Sequence, residues 1–139
     1  MHTMLNKEAA EKLVDQAVEA HKNAYAPYSN YKVSAALLTK SGKTFTGVNV
    51  ENAVYPMTIC AERAAVVSAV SAGEREFEAI VVVTRDAGTP CGSCRQVLAE
   101  FGLDIAVIIS DDKGKIHDTT TVGDLLPHSF GQANLDSEG

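Results

Sequence analysis

Two of the three cysteines in this 139-residue chain stand three positions apart in the segment TPCGSCRQ, residues 89–96. Such a pair can form a disulfide, a redox centre or half of a metal site. An odd number of cysteines fits a disulfide framework poorly, and structural disulfides are rare in reducing compartments. The third cysteine, Cys60, lies about thirty residues earlier. The chemistry open to Cys91 and Cys94 therefore depends on whether the fold brings Cys60 to them.

The elements that must position these cysteines can be predicted from hydrophobic spacing. Apolar residues recur at helical intervals in residues 5–23, which predicts an amphipathic helix. Residues 31–39 and 43–50 predict two strands of a hairpin that turns at Ser41 and Gly42. The rest of the chain predicts, in order, a helix at CAERAAVVSAVSAG, a buried strand at FEAIVVVT, a short helix at CRQVLAEFG, a buried strand at LDIAVIIS, an edge strand at KIHDT and a short helix at TVGDLL.

This order of elements predicts an α/β fold with three layers, α/β/α, around a mixed central sheet. It consists of an N-terminal helix, a β-hairpin and two β-α-β crossovers, which place parallel strands in the middle of the sheet. We expect one domain over residues 1–139, with a mobile polar tail after about residue 135. Sites in open α/β sheets form outside the carboxyl ends of the strands. Chemistry should therefore be sought where each crossover helix begins.

Cysteine begins both crossover helices. Cys60 opens the first, and Cys91 and Cys94 open the second. A helix N-terminus lowers the pKa of a thiol, and three thiolates favour a soft metal, of which tetrahedral zinc is the ordinary example. The fourth coordination position of such a zinc ion is either open to water, as in catalytic zinc sites, or filled by histidine. A structural site completed by His117 or His128 is therefore one alternative.

Glu62 lies two residues beyond Cys60, in the first turn of the same predicted helix. A carboxylate there can sit beside a metal without binding it, where it can move protons to and from a water molecule. The neighbouring Arg63 can offset the excess negative charge of three thiolates. A thioredoxin-like redox pair explains neither Cys60 nor Glu62. A zinc-stabilised binding module without catalysis is the alternative outside the enzymes.

The segments CAER at residues 60–63 and PCGSCRQ at residues 90–96 resemble the small, homotetrameric, zinc-dependent cytidine deaminases. Residues 24–56 and the segment DLLPHSF at 124–130 extend the resemblance over nearly the whole chain. It implies the cytidine deaminase-like fold and one Zn²⁺ per subunit, held by Cys60, Cys91 and Cys94. It also implies that Glu62 is the proton shuttle in the conversion of cytidine and 2′-deoxycytidine to uridine and 2′-deoxyuridine, with release of ammonia, a reaction of pyrimidine salvage.

The resemblance also implies a set of substrate-binding residues. The backbone N–H of Ala61 would contact the base carbonyl, and Asn49 and Glu51 would bind the ribose. Alternation along a strand agrees with the second point, because positions two apart face the same side. Tyr31 would lie against the base, where the family usually has phenylalanine, and its hydroxyl could alter the preference among nucleosides. Phe130 would cover the pocket of a neighbouring subunit in the homotetramer.

The overall composition excludes some partners. A net charge of −6 and the lack of a lysine or arginine run argue against polymeric nucleic acid. No stretch approaches the roughly 18 apolar residues of a membrane span. The first residues, MHTMLNKEAAEKL, hold no apolar core of a secretory signal, so we expect a cytoplasmic protein. The acidic net charge favours small nucleosides over polynucleotides as substrates. A deaminase of a cytosine-containing antibiotic such as blasticidin S is the nearest alternative enzyme.

Overall fold

The computed structural model describes residues 5–136 of the chain. It contains five α-helices, α1 to α5, and five strands, β1 to β5, within those residues. Their bounds in chain order are α1 Lys7–Ala20, β1 Ser34–Thr39, β2 Thr44–Val48, α2 Ala61–Ser71, β3 Phe77–Thr84, α3 Gly92–Ala99, β4 Ala106–Asp111, β5 Ile116–Thr121, α4 Val122–Leu125 and α5 Gln132–Asp136. Among these elements, no helix is long and apolar enough to cross a membrane.

The strands form one mixed sheet in the order β2-β1-β3-β4-β5. β1 is antiparallel to both of its neighbours, with Leu37 opposite Phe45 on β2 and Ile80 on β3. β3 and β4 are parallel, and β5 closes the edge antiparallel to β4. Only one neighbouring pair is parallel, because the first crossover passes over β1 before the chain returns as β3. The predicted mixed α/β sheet is confirmed.

Alternating residues of the central strands build two cores on opposite sides of the sheet. Leu37, Ile80 and Val82 pack with buried residues of α2 and α3, whereas their neighbours Ala36 and Val81 pack with α1. Burying one such aliphatic side chain contributes about 1.5–3 kcal/mol. The continuous apolar sequence of β3 follows directly, since both of its faces are covered.

α2 rests directly on β2 because residue 47 is glycine. A Cβ atom at Gly47 would come within 2.4 Å of the Ala61 carbonyl oxygen and 2.5 Å of the Ala65 nitrogen. No side chain can occupy that space, so the first turns of α2 lie against the strand. This contact sets the position of the residues at the start of α2.

The helices begin and end close to the predicted positions. Asn6 caps α1 by accepting a hydrogen bond from the Ala9 N–H at 2.7 Å, and Gly73 ends the α2 region with φ of +93°. α5 was not predicted, because its polar sequence carries no apolar period. Apart from Asp136, the tail predicted to be mobile after residue 135 lies outside the described residues.

Candidate active site

The fold brings the three cysteines together. The sulfur atoms of Cys60, Cys91 and Cys94 all lie within 4.8 Å of one another, and those of Cys91 and Cys94 are 3.5 Å apart. We call these three residues the thiol cluster. All three are free cysteines, and they are placed by two helices that begin at the same edge of the sheet.

Each helix presents its cysteine in the same way. Cys60 is the N-cap residue of α2 and Cys91 is the N-cap residue of α3, both with extended backbone. Neither side chain caps its own helix, so both sulfurs are available to a shared ligand. The unpaired N–H groups at the start of α2 favour negative charge on the sulfur of Cys60.

The thiols influence one another's protonation. The pKa of Cys60 is lowered to about 6, chiefly because the Cys94 thiol donates a hydrogen bond to its sulfur. The same interaction raises the pKa of Cys94, and burial acts in the same direction. Negative charge on the Cys60 sulfur therefore opposes ionisation of Cys94, and a bound cation would offset this repulsion.

The donor set fits zinc. Three thiolate sulfurs within reach of a single ion match the ligands and the tetrahedral preference of Zn²⁺. Arg63 supplies positive charge beside them, since its guanidinium helps to lower the pKa of Cys60. Within residues 5–136, the Nε of Arg63 is a buried donor that has no hydrogen-bond partner.

Within residues 5–136, no histidine joins this group. In the described part of the chain, the thiol cluster is the only set of three or more His, Cys, Asp or Glu side chains that could hold a metal ion. His117 instead contacts Asp111 at 2.9 Å in the β4–β5 region. Within the described residues, the alternative of a structural site completed by His117 or His128 therefore finds no support.

Glu62 is buried in the first turn of α2, with 4% of its surface exposed. Burial raises the pKa of this carboxyl, and the charge of Cys60 adds to the effect. A carboxyl group whose pKa is raised above its usual range binds and releases protons more readily near neutral pH. Glu62 thus lies beside the sulfurs with the properties of a general acid and base.

A cavity of about 220 Å³ lies in front of these groups. The thiol cluster and Glu62 line it together with three further predicted residues, Tyr31, Asn49 and Ala61. The remaining lining residues were not predicted and are Val33, Thr58, Ile59, Val82, Thr84 and Thr89. Several stand where a strand ends or a site helix begins, which is the sequence signal that could have indicated them.

Asn49 and Glu51 both contact the segment that precedes β1, but they do so differently. The side chain of Asn49 accepts from the Val33 N–H at 3.0 Å and donates to the Tyr31 carbonyl at 2.9 Å. Asn49 is buried and lines the cavity, whereas Glu51 is not among the described residues that line it.

The carboxylate of Glu51 holds a turn of the backbone. It accepts hydrogen bonds from the N–H groups of Tyr28 and Ser29, at 2.9 and 3.1 Å, and from the Ser29 hydroxyl. The hydroxyl bond is the main reason that the pKa of Glu51 is lowered. The structure therefore shows that Glu51 stabilises a turn.

Phe130 lies outside the cavity, and 60% of its surface is exposed. Its carbonyl accepts a hydrogen bond from the Gln96 side chain at 2.9 Å, which holds the segment before α5 against α3. Arg95 ties the same region together by donating to the carbonyls of Pro90 and Leu125.

Comparison with known proteins agrees with this geometry. The family described as the cytidine and deoxycytidylate deaminase zinc-binding region matches residues 7–110. The chain is 46% identical over 134 residues to a protein of Dictyostelium discoideum named probable cytidine deaminase, covering 94% of this chain and 90% of that one. A crystal structure of cytidine deaminase from Burkholderia pseudomallei matches with a TM-score of 0.82 and 47% identity, covering 91% of this chain and 100% of that chain.

A more distant relative has a different name. The blasticidin-S deaminase of Bacillus cereus is 32% identical over 128 residues, covering 85% of this chain and 89% of that protein. The similarity thus extends to a relative named for an antibiotic.

Proposed function

Since the chain belongs to the cytidine and deoxycytidylate deaminase family, we propose that it hydrolyses cytidine and 2′-deoxycytidine to uridine and 2′-deoxyuridine. One observation carries the proposal: the thiol cluster and the buried Glu62 line one cavity at the start of α2 and α3. Metal ligands and a proton-transfer group are the two parts that a hydrolytic deamination needs.

The thiol cluster would hold one zinc ion per subunit. Bound there, zinc supplies the Lewis acidity that makes a water molecule a nucleophile near neutral pH. Arg63 offsets the surplus negative charge of the three thiolates, and its contact with the Thr58 carbonyl at 3.2 Å keeps it in place.

Glu62 moves the protons. It accepts one proton from the attacking water and passes it to N3 of the base, while the water oxygen bonds to C4. The second proton of the water then goes through Glu62 to the amino group, the C4–N4 bond breaks, and ammonia leaves. Glu62 thereby returns to its starting protonation state. Its burial excludes bulk water from these transfers.

Residues around the cavity orient the nucleoside. We assign the Ala61 N–H to the base carbonyl, Tyr31 to the face of the base, and Asn49 and Glu51 to the ribose hydroxyls. Supporting this, Tyr31, Asn49 and Ala61 line the cavity. Glu51 would act with its remaining lone pairs while it holds the turn at Tyr28 and Ser29.

The active species is a homotetramer with shared sites in this proposal. Phe130 is exposed on the single chain, as are Val54, Tyr55 and Met57 near the site, with 60–71% of their surfaces accessible. Exposed apolar groups of this size are typical of surfaces that another chain covers. Light scattering combined with an assay tests the point, and a fully active monomer would contradict it.

The compartment and role follow from the same proposal. Free thiols persist in a reducing compartment, which agrees with a cytoplasmic enzyme of pyrimidine salvage. The net charge of −6 favours free nucleosides over polynucleotides as substrates.

The purified protein allows a direct test. We expect about one zinc per chain by elemental analysis, and a fall in ultraviolet absorbance as cytidine becomes uridine. Absence of zinc, or no conversion of either nucleoside by the zinc-loaded protein, would overturn the proposal.

Blasticidin S is the second candidate substrate, because a relative named for its deamination covers most of the chain. Parallel assays separate the two. Turnover of the antibiotic without turnover of cytidine would replace the nucleoside as substrate.

A further inference from the structure

The hydroxyl of Tyr31 is bound on the side of the cavity that leads to α3. It donates a hydrogen bond to Asp86 Oδ1 at 2.6 Å, across 55 positions of sequence. Burial raises the pKa of Tyr31, and the bond to Asp86 raises it further, so the group is a neutral donor. Its one O–H is committed to Asp86 and does not donate to a substrate.

Asp86 belongs to the connection between β3 and α3, which ends at Cys91. The Thr84 hydroxyl donates to the same Oδ1 atom at 3.2 Å and accepts from the Gly88 N–H at 2.6 Å. Tyr31 and Thr84 both line the cavity. The Asp86 carboxylate thus connects Tyr31 on one side of the cavity with Thr84 on the other. Through Thr84 it is also connected to the backbone that leads to the thiol cluster.

Arg85 adds a second attachment between the same two segments. Its guanidinium carbon lies 4.8 Å from the centre of the Tyr31 ring, a cation–π distance, and its Nη1 donates to the Asn30 carbonyl at 3.1 Å. Asn30 and Ala87 both adopt φ of +57°, a conformation that L-residues rarely take without surrounding contacts.

The absence of a side chain at Gly88 fits this arrangement. A Cβ atom there would come within 2.7 Å of the Tyr31 hydroxyl oxygen. The backbone of the connection therefore approaches the hydroxyl closely, and alanine at this position would displace it.

We infer that Asp86 is a positioning residue for the reaction: through the Tyr31 hydroxyl it fixes the aromatic wall of the cavity and the connection that leads to Cys91. This inference rests on the proposed function. Asp86 does not touch the nucleoside; it holds the ring that does. Without the hydrogen bond to Asp86, the Tyr31 ring is still present but is no longer held in its position. Nucleoside binding therefore weakens, while proton transfer at Glu62 is retained.

A double-mutant cycle tests the inference. Tyr31→Phe and Asp86→Ala remove the same bond from opposite ends, so each should raise KM for cytidine about fivefold with kcat within about twofold. The double variant should be no worse than Asp86→Ala alone, because the bond can be lost only once.

Conservative and control variants make the result specific. Asp86→Asn keeps an oxygen acceptor and should restore KM to near the value of the unchanged protein, whereas Gly88→Ala should raise KM like Tyr31→Phe. Asp112→Ala, an exposed acid in the β4–β5 turn, should leave KM unchanged.

The outcomes are distinct. Unchanged KM in the single variants, strictly additive losses, or failure of Asp86→Asn to restore KM would each overturn the positioning role. A protein that is unable to convert cytidine before any substitution overturns the proposed function and this inference with it. Thermal unfolding of each variant distinguishes the positioning effect from a general loss of stability, which would lower Tm without the KM pattern.

Discussion

Two cavities lie on opposite sides of the sheet, and the larger one has the weaker claim to be the active site. The cavity of about 1200 Å³ lies between α1 and the strands β4 and β5. Its polar lining consists mainly of surface lysines, carboxylates and threonines. The cavity of about 220 Å³ holds the thiol cluster and a buried carboxylate. Convergence of reactive groups, rather than volume, therefore identifies the site.

The difference has a structural cause. The smaller cavity lies where two helices begin, so their N-termini and capping residues point to one place. The larger cavity lies where α1 leaves part of the sheet uncovered, and nothing there directs side chains to a common point. Substitutions that act on one cavity and not the other test this comparison.

Replacing a thiol should have the largest effect. Cys91→Ser removes one of three sulfur ligands, and we expect zinc and activity to fall below detection while the fold persists, because Cys91 is exposed. Elemental analysis, activity and circular dichroism measure the three. Thr119→Ala, in the larger cavity, is the matched control and should change none of them. Full zinc content in Cys91→Ser would remove the basis of the comparison.

Removing the charge of Glu62 should abolish most of the chemistry but not the metal. Glu62→Gln keeps the size of the side chain, so we expect normal zinc content and a loss of about 10²–10⁴-fold in kcat. Glu11→Gln, the same change in the larger cavity, should retain full activity. Retained activity in Glu62→Gln would show that the buried carboxylate is not the proton shuttle.

Adding one methyl group behind the smaller cavity should mainly lower stability. Gly47→Ala forces α2 away from β2, since its Cβ meets backbone atoms of Ala61 and Ala65. We expect a loss of about 1–3 kcal/mol in the free energy of unfolding, measured in urea. Because α2 carries Cys60 and Glu62, kcat should fall too. A variant as stable as the parent would indicate that the strand and helix can separate freely.

The smallest effect should come from the β4–β5 hairpin beside the larger cavity. A hydrogen bond from His117, with bonds from the backbone of the turn, lowers the pKa of Asp111 to about 2. The ionised Asp111 carboxylate therefore stabilises the folded protein fully above about pH 4, the pKa range of a free aspartate. This contribution to the free energy of unfolding is lost as the pH falls toward 2. His117→Ala should raise the pKa of Asp111 and reduce this loss.

Carbon-13 NMR titration of the Asp111 carboxyl measures the change, with nucleoside turnover at neutral pH as the control. Unaltered titration in His117→Ala would mean that the backbone bonds from Lys113 and Lys115 are sufficient. Altered turnover would contradict the separation of the two cavities.

Much of the site could be predicted because its chemistry is local. Cys60 and Glu62 are neighbours on one helix, and Cys91 and Cys94 are neighbours on another, so residue type and spacing carry the information. The fold follows from strands such as β3, whose predicted and observed bounds coincide. That two helix starts meet at one sheet edge is a general property of β-α-β topology.

The contacts that hold the cavity together could not be predicted in the same way. Tyr31 and Asp86 meet across 55 positions, and no periodic pattern links them. Glu51 contacts the backbone of Tyr28 and Ser29, which is invisible to side-chain patterns. The role proposed for Phe130 depends on a surface of another chain, so a single sequence gives only its aromatic character.

The separation of Cys60 from Cys91 along the chain gives the metal a mechanical consequence. α2 packs more extensively against β2 than against α3, so a ligand shared by Cys60 and Cys91 would add a direct link between the two helices. An ion bound by both would act as a crosslink that closes a loop of about thirty residues and reduces the freedom of the unfolded chain. A chelator should therefore loosen the contact between the first turns of α2 and α3 as well as stop catalysis.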